Sequence, residues 1–143
     1  MFFALLRKNL RGLYASPFID DIVVHADDYP KFLPELNALL SEHNLIYTIA
    51  GHIGDGNLHV NTLKPEGMTK EDFTARCKQA DLALFELVQS HGGSISAEHG
   101  IGQYRVAELA RHRHPDEMAL ARRIKAALDP EGLLNPGKVL ARG

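Results

Sequence analysis

An Asp-Gly pair between two runs of β-forming residues constrains the fold of this chain more than any other feature. Residues 44–50 and 57–63 are rich in β-branched and other apolar side chains, and Asp55 and Gly56 lie between them. Asp-Gly is a favoured centre for a two-residue hairpin loop, because both central residues of that turn need a positive φ. The sequence therefore predicts an antiparallel hairpin whose loop consists of these two residues alone.

This hairpin register brings two histidines together. If Asp55 and Gly56 form the loop, His52 lies directly opposite His59, and residues that are directly opposite share one face with Cβ atoms roughly 4.5 to 5.5 Å apart. Asn61 lies two residues beyond His59 and falls on the same face, because strand side chains alternate with a period of two. We therefore expect His52, His59 and Asn61 to form one polar patch.

The segments outside this hairpin show the periodicity of one further strand, residues 19–25, and of four helices, residues 30–42, 70–89, 102–110 and 115–128. Thr69, three residues before Asp72, predicts a capping box at the start of the second helix. The resulting order, β-α-β-β-α, predicts an α+β fold of the ferredoxin-like sandwich type, with an antiparallel sheet, helices on one face and further helices at the C-terminus. A short fourth strand near residues 93–96 is expected to close the sheet.

The composition is that of a globular chain, and we interpret residues 1–143 as one domain. An apolar content of 45% and a formal charge of −2 argue against a general affinity for nucleic acid or anionic membranes. The single cysteine, Cys77, excludes an internal disulfide and suits a reducing cytoplasm. The apolar run at the start is interrupted by Arg7 and Lys8, so it is too short for a signal peptide or a membrane span.

A second polar cluster lies in the glycine-dense stretch HGGSISAEHGIG, residues 91–102, which carries Glu98 next to His99. Adjacent side chains of a strand point to opposite faces, so these two residues are expected to serve different partners. Together with the hairpin, the cluster offers two imidazoles and one carboxylate to a divalent cation. Three ligands of N and O type, with one position left open, are typical of a catalytic zinc site.

Simpler interpretations of both motifs stay open at this point. A glycine-rich hairpin also serves turn geometry alone, and the stretch at residues 91–102 also resembles an anion-binding loop before a helix. Five further histidines have no comparable neighbours in the sequence and are interpreted as ordinary surface or core residues: His25, His43, His91, His112 and His114.

Three motifs in this order resemble the C-terminal part of the FAD-linked oxidases that act on D-2-hydroxy acids, a group that includes the D-lactate, glycolate and D-2-hydroxyglutarate dehydrogenases. The motifs are GHIGDGNLHVN, SISAEHGIGQYR and IKAALDPEGLLNPGKVL. The resemblance implies a ferredoxin-like cap domain that closes over FAD. It also implies that a separate N-terminal domain, absent from these residues, holds most of the flavin.

The same resemblance implies roles for individual residues. The metal-ligand positions match His52, His59 and Glu98, and the position of the catalytic base matches His99. Substrate-binding positions match Asn61 and Arg7, and positions near the flavin match Asn135 and Lys138. Relatives that act on hydroxyglutarate are expected to carry a lysine near Ile19, and its absence here favours a monocarboxylic substrate such as D-lactate or glycolate.

The predicted function is therefore the metal-assisted oxidation of a D-2-hydroxy acid to the 2-oxo acid, with FAD and a divalent metal, zinc by preference, as cofactors. The chain alone is expected to be inactive, to need a flavin-binding domain or subunit, and to cover its open surface by self-association. We expect a cytoplasmic location, with peripheral contact to the inner membrane through an electron acceptor as the alternative. A flavin-independent metalloenzyme and a non-catalytic remnant or binding module are the other two classes.

Overall fold

The computed structural model describes residues 15–142 and divides the chain into two compact units, one up to Ala97 and one from Glu98 onward. Within the described range there are three strands and four α-helices. The first unit contains β1 (Ala15–Val23), α1 (Tyr29–Glu42), β2 (Ile46–His52), β3 (Asn57–Leu63) and α2 (Lys70–Ser90). The second unit contains α3 (Val106–His112) and α4 (Pro115–Leu128).

The sheet of the first unit has the order β1-β3-β2, with β3 antiparallel to both neighbours. On the side of β1 away from β3, Val23 and Ser94 form an isolated antiparallel bridge. Its two hydrogen bonds have N-to-O distances of 2.8 and 2.9 Å. The fourth strand that the sequence predicts near residues 93–96 is thus reduced to one bridge. The α+β class is confirmed, and the bridge stands where a fourth strand would complete a ferredoxin-like sheet.

The core of the first unit lies where α1 and α2 pack on one face of the sheet. The helix α1 contributes side chains spaced by four residues, Phe32, Leu36 and Leu40, all at most 1% exposed. On β3 the alternate residues Leu58, Val60 and Thr62 are buried, and the Thr62 hydroxyl lies 3.4 Å from the Cys77 sulfur on α2. Burying each large apolar side chain stabilises the fold by roughly 1.5 to 3 kcal/mol, so this face holds the sandwich together.

Helix boundaries follow local chemistry. The helix α2 begins where the capping box predicts, because the Asp72 N–H donates to the Thr69 hydroxyl oxygen at 3.1 Å and that hydroxyl donates to the Asp72 carboxylate at 2.8 Å. The helix α4 has the predicted bounds, and the segment after it is not helical. No helix within residues 15–142 combines the length and the apolar character needed to cross a membrane.

Three of the predicted elements have different bounds in the structure. The strand β1 begins four residues earlier than expected and ends at Val23. The strand β2 starts at Ile46 because Asn44 has a φ of 52°, which breaks the extended backbone before it. The helix α3 starts at Val106, and Gly102, the predicted first residue, has a φ of 57°, outside the right-handed helical region.

The predicted two-residue loop of the β2–β3 hairpin is also wrong. The loop comprises a short 3₁₀ turn over Ile53–Asp55 followed by Gly56, whose φ is 72°. A two-residue loop with a primed turn needs two consecutive residues with positive φ, and Asp55 does not have one. As a result His52 pairs with Asn57, and His59 pairs with Ala50 rather than with His52.

Gly93 lies where the chain leaves α2 and approaches β1. A Cβ atom at this position would lie 2.2 Å from the Val23 carbonyl oxygen and 2.8 Å from a Val88 methyl carbon. We therefore expect Gly93→Ala to lower the free energy of unfolding by about 2 kcal/mol or more, because the bridge between Val23 and Ser94 must shift. Thermal unfolding should show a melting temperature lowered by roughly 5 to 10 °C.

Gly54→Ala is the matched control. Its φ is not positive, and a Cβ atom there would have no heavy atom within 4 Å among the described residues. The melting temperature of Gly54→Ala should stay within about 2 °C of the unsubstituted chain. Equal melting temperatures for the two variants would show that the close backbone approach at Gly93 does not exclude a Cβ atom.

Candidate functional site

The face of the sheet opposite the helices carries a row of polar side chains. Because Leu58, Val60 and Thr62 are on the helix side, the alternate residues Asn57, His59 and Asn61 point to the other side. Asn57 and His59 are buried, and Asn61 is half-buried. Three consecutive polar positions on one strand face, two of them buried and one half-buried, are unusual for a purely structural sheet, so this face is the candidate site.

His52 joins this row from the neighbouring strand. It lies on the same face as His59, and the two rings are nearly perpendicular with centroids 6.3 Å apart. The observed pairing differs from the predicted one by two residues, and a shift of two residues leaves every side chain on its face. The structure therefore brings His52 and His59 together as expected, in diagonal rather than directly opposite positions.

Asp21 on β1 lies directly opposite His59 in the antiparallel pairing. The Asp21 Oδ1 atom is 3.4 Å from the His59 Nδ1 atom, and both side chains are only 5% exposed. The second carboxylate oxygen of Asp21 accepts the Ala97 N–H at 3.1 Å. A carboxylate at one ring nitrogen orients the imidazole and leaves its other nitrogen for a ligand, as in the second shell of many metal sites.

Sequence reasoning missed Asp21. It predicted the strand that carries this residue but did not pair that strand with the one that carries His59. The available signal was the fold class itself, because a ferredoxin-like topology places the first strand beside the third. With that pairing and the two-residue alternation, one of the two adjacent aspartates Asp20 and Asp21 must share the face of His59.

Two asparagines contribute polar atoms to this face. Asn57 Oδ1 and Asn61 Nδ2 are buried, and neither has a hydrogen-bond partner among residues 15–142. The great majority of buried polar atoms in proteins have a hydrogen-bond partner. Buried atoms without one, gathered on one face, are therefore candidates for binding a ligand. The amide group of Asn61 is suited to donate a hydrogen bond to a carboxylate or carbonyl oxygen.

Glu98 and His99 open the second unit. The structure places Glu98 Oε1 3.9 Å from His99 Nε2, with both side chains about half exposed. Residues 98 and 99 do not form a strand, so strand alternation does not apply to them, and their service to different partners stays a prediction. The two groups are therefore able to act on one ligand.

The C-terminal tail is fastened to α4 through Asp129. Its carboxylate accepts the N–H groups of Leu133 and Leu134, each at 2.9 Å, and pairs with the Lys125 ammonium group. The hydrogen bond from Lys125 is the main cause that holds the pKa of Asp129 below its usual value, with the two N–H donors adding to it. Asp129 is thus an ionised anchor for the tail.

The tail also contains the two predicted flavin-proximal residues. The Lys138 ammonium group donates to the Asn135 side-chain oxygen at 3.3 Å, and the Lys138 N–H donates to the Asn135 carbonyl at 3.2 Å. The structure therefore brings Asn135 and Lys138 together in one turn. The predicted substrate residue Arg7 lies outside the described residues.

His91 has a different environment from the histidines of the sheet face. Its Nε2 atom lies 3.0 Å from a Glu35 carboxylate oxygen, and its ring packs edge-on against Phe32 with centroids 5.3 Å apart. These contacts link the end of α2 to α1. They support the interpretation of His91 as a structural residue.

Comparison with known proteins places the chain in a defined group. The family described as FAD linked oxidases, C-terminal domain, matches residues 1–139. A D-2-hydroxyglutarate dehydrogenase of Stutzerimonas stutzeri is 44% identical over 128 residues, which are 88% of this chain and 28% of that protein. A D-lactate dehydrogenase of Archaeoglobus fulgidus is 41% identical over 106 residues, or 74% of this chain and 23% of that protein.

A more distant relative extends the group. The glycolate oxidase subunit GlcD of Bacillus subtilis is 29% identical over 133 residues, which are 93% of this chain and 28% of that protein. The chain thus spans about a quarter of the length of each of these curated relatives.

Proposed function

Because the chain belongs to the family of FAD-linked oxidase C-terminal domains, we propose that it is the substrate- and metal-binding part of a flavin-dependent dehydrogenase that oxidises a D-2-hydroxy acid to the 2-oxo acid. The observation that carries the proposal is the buried pair of Asp21 and His59, 3.4 Å apart, beside His52 on one sheet face. A carboxylate-oriented imidazole next to a second imidazole is the donor set of a divalent metal site. The assignment of flavin-dependent chemistry rests on the family.

In this proposal His52, His59 and Glu98 hold a divalent cation, with zinc as the preferred ion. The residues fit such an ion because imidazole nitrogen and carboxylate oxygen are its usual ligands. Glu98 is included because its segment, SISAEHGIGQYR, resembles the one that carries the metal-ligand carboxylate of the family. The ion supplies positive charge that lowers the pKa of an oxygen group bound beside it.

Asp21 acts in this scheme as a positioning residue. It faces the Nδ1 atom of His59, so the Nε2 atom is left as the ligand atom. Burial of both groups at 5% exposure keeps the ring from rotating away and strengthens the attraction between them. This role was not part of the sequence-based expectation.

Asn61 and His99 act on the substrate. The Nδ2 atom of Asn61 donates a hydrogen bond to the substrate carboxylate, and His99 accepts the proton of the substrate hydroxyl. FAD would supply the acceptor for the hydride of the adjacent carbon, and Asn135 and Lys138 are the residues of this chain that would lie beside it. The substrate thereby loses one proton and one hydride and becomes the 2-oxo acid.

The substrate class rests on the relatives and on one position of the sequence. The relatives are named for D-2-hydroxyglutarate, D-lactate and glycolate. These three acids share the 2-hydroxy acid group that His99 and Asn61 would contact. The absence of lysine near Ile19 leads us to place the monocarboxylates D-lactate and glycolate first. The flavin-binding part is a separate domain or subunit.

Reconstitution tests the function. The purified chain is mixed with a separately expressed flavin-binding domain from the same genome, and the absorbance of oxidised flavin is followed under anaerobic conditions. D-Lactate, glycolate and D-2-hydroxyglutarate are added in turn, with L-lactate as the stereochemical control. We expect one of the three acids to bleach the flavin only in the mixture.

Two results would overturn this proposal. The first is flavin that stays oxidised with all three acids although the two proteins form a complex. The second is turnover of a hydroxy acid by the chain without any flavin, which would favour the flavin-independent metalloenzyme instead.

A further inference from the structure

A cavity of about 790 Å³ lies within the second unit, between the C-terminal half of α4 and the tail that follows it. Four cationic side chains line it: Arg122, Lys125, Lys138 and Arg142. Its acidic lining residues are Asp129 and Glu131. The cavity volume lies within the roughly 300 to 1,000 Å³ of ordinary small-molecule sites.

The cationic side chains of this cavity differ in whether a carboxylate pairs with them. Lys125 is paired with Asp129, whose carboxylate also anchors the tail. Arg122 and Arg142 form no ion pair or hydrogen bond with another residue of the described part of the chain. The wall therefore presents two guanidinium groups to a ligand, with the Lys138 ammonium group as a third positive charge.

The tail backbone brings Arg142 to the cavity wall. Gly137 has a φ of 73°, and a Cβ atom there would lie 3.5 Å from both Cγ and Nε of Arg142. The Arg142 side chain thus lies against the bare backbone of Gly137. One wall of the cavity is α4 itself, and the other wall is the tail, whose start is held on α4 by Asp129.

We propose that this cavity binds the phosphate group of a nucleotide-sized molecule. Planar guanidinium groups match phosphate oxygens with two parallel hydrogen bonds, and an ammonium group adds a compact point charge. The volume leaves room beyond one phosphate for the rest of such a ligand. The site adds Arg122 and Arg142 to the tail residues Asn135 and Lys138.

The phosphate group that this cavity would bind has two candidate sources, a free nucleotide such as ADP and the pyrophosphate of FAD. Only the second source depends on the proposed dehydrogenase function. A titration of the 143-residue chain by calorimetry at low salt with ADP, pyrophosphate, FAD and riboflavin separates them. FAD binding tighter than ADP binding identifies the flavin, and equal binding of the two identifies nucleotide phosphate in general.

Substitutions locate the binding. Arg122→Gln and Arg142→Gln should each weaken ADP binding about tenfold or more, the usual scale for a charged hydrogen bond. Arg123→Gln is the matched control, because this exposed arginine follows Arg122 on α4 and does not line the cavity. Its affinity for ADP should equal that of the unsubstituted chain, and thermal melts should show that all three variants are folded.

Ionic strength gives a further check. Because Arg122 and Arg142 are exposed, raising the salt concentration should weaken binding through screening. The proposal is overturned if neither ADP, pyrophosphate nor FAD binds saturably. It is also overturned if riboflavin binds as tightly as FAD, or if Arg123→Gln weakens binding as much as Arg142→Gln does.

Discussion

Replacing His52 with alanine should reduce the divalent metal content of the chain from nearly one ion per molecule to background. His52 is exposed and lies on the face of His59, with ring centroids 6.3 Å apart, so its loss removes a ligand while the core stays intact. The measurement is elemental analysis after the chain is supplemented with divalent metal and passed through a desalting column. His25→Ala is the control, because His25 is also an exposed histidine and lies outside this face.

Metal content measured over a range of metal concentrations tests Asp21. If Asp21 orients His59 rather than binding the ion, Asp21→Asn should weaken metal affinity by roughly 10- to 100-fold without abolishing binding. Circular dichroism should show that the sheet is retained, since asparagine has the same shape as aspartate. Equal metal content in the unsubstituted chain and in His52→Ala would remove the sheet face from consideration as the metal site.

Replacing His99 with asparagine should slow flavin reduction by roughly 100-fold or more in the reconstituted complex, the usual scale for a lost general base. His99 is half exposed, and its Nε2 atom lies 3.9 Å from a Glu98 carboxylate oxygen. Asparagine keeps a polar side chain of similar reach but does not accept a proton at neutral pH. Anaerobic stopped-flow measurement of flavin bleaching gives the rate.

Metal content separates this role from that of a ligand. His99→Asn should retain its metal, whereas Glu98→Gln should lose it, because the two neighbours are assigned different functions. His43→Asn, a change at a histidine of the first unit outside the polar face, should affect neither quantity. A normal reduction rate in His99→Asn would eliminate the base, and loss of metal in that variant would make His99 a ligand.

Much of the fold is predictable because its signals are local. The capping box of Thr69 and Asp72 starts α2 at the expected residue, and α4 starts as predicted with Pro115 at its first position. The spacing of apolar residues identifies the buried faces of α1 and α2. The errors in β2 and α3 come from Asn44 and Gly102, whose positive φ values depend on how the chain continues beyond them.

The candidate site is predictable only in part. The motif places His52, His59 and Asn61 on one face, and this prediction holds although the loop and the pairing differ, because a shift of two residues conserves the face. The partner of His59 is not contained in the motif. Asp21 is distant in sequence, and sequence patterns predict that it lies in a strand but not which strand that one contacts.

The sequence by itself therefore determined the order of the elements, the ends of the helices with strong caps, and the face on which each strand residue lies. These properties depend on backbone geometry and on neighbours a few residues away. Only the tertiary structure decided that Asp21 faces His59, that Ser94 bridges to Val23, and that the tail folds over α4 through Asp129. The physical reason is that such contacts join distant segments, whose pairing depends on how the helices and the sheet pack together rather than on any local pattern.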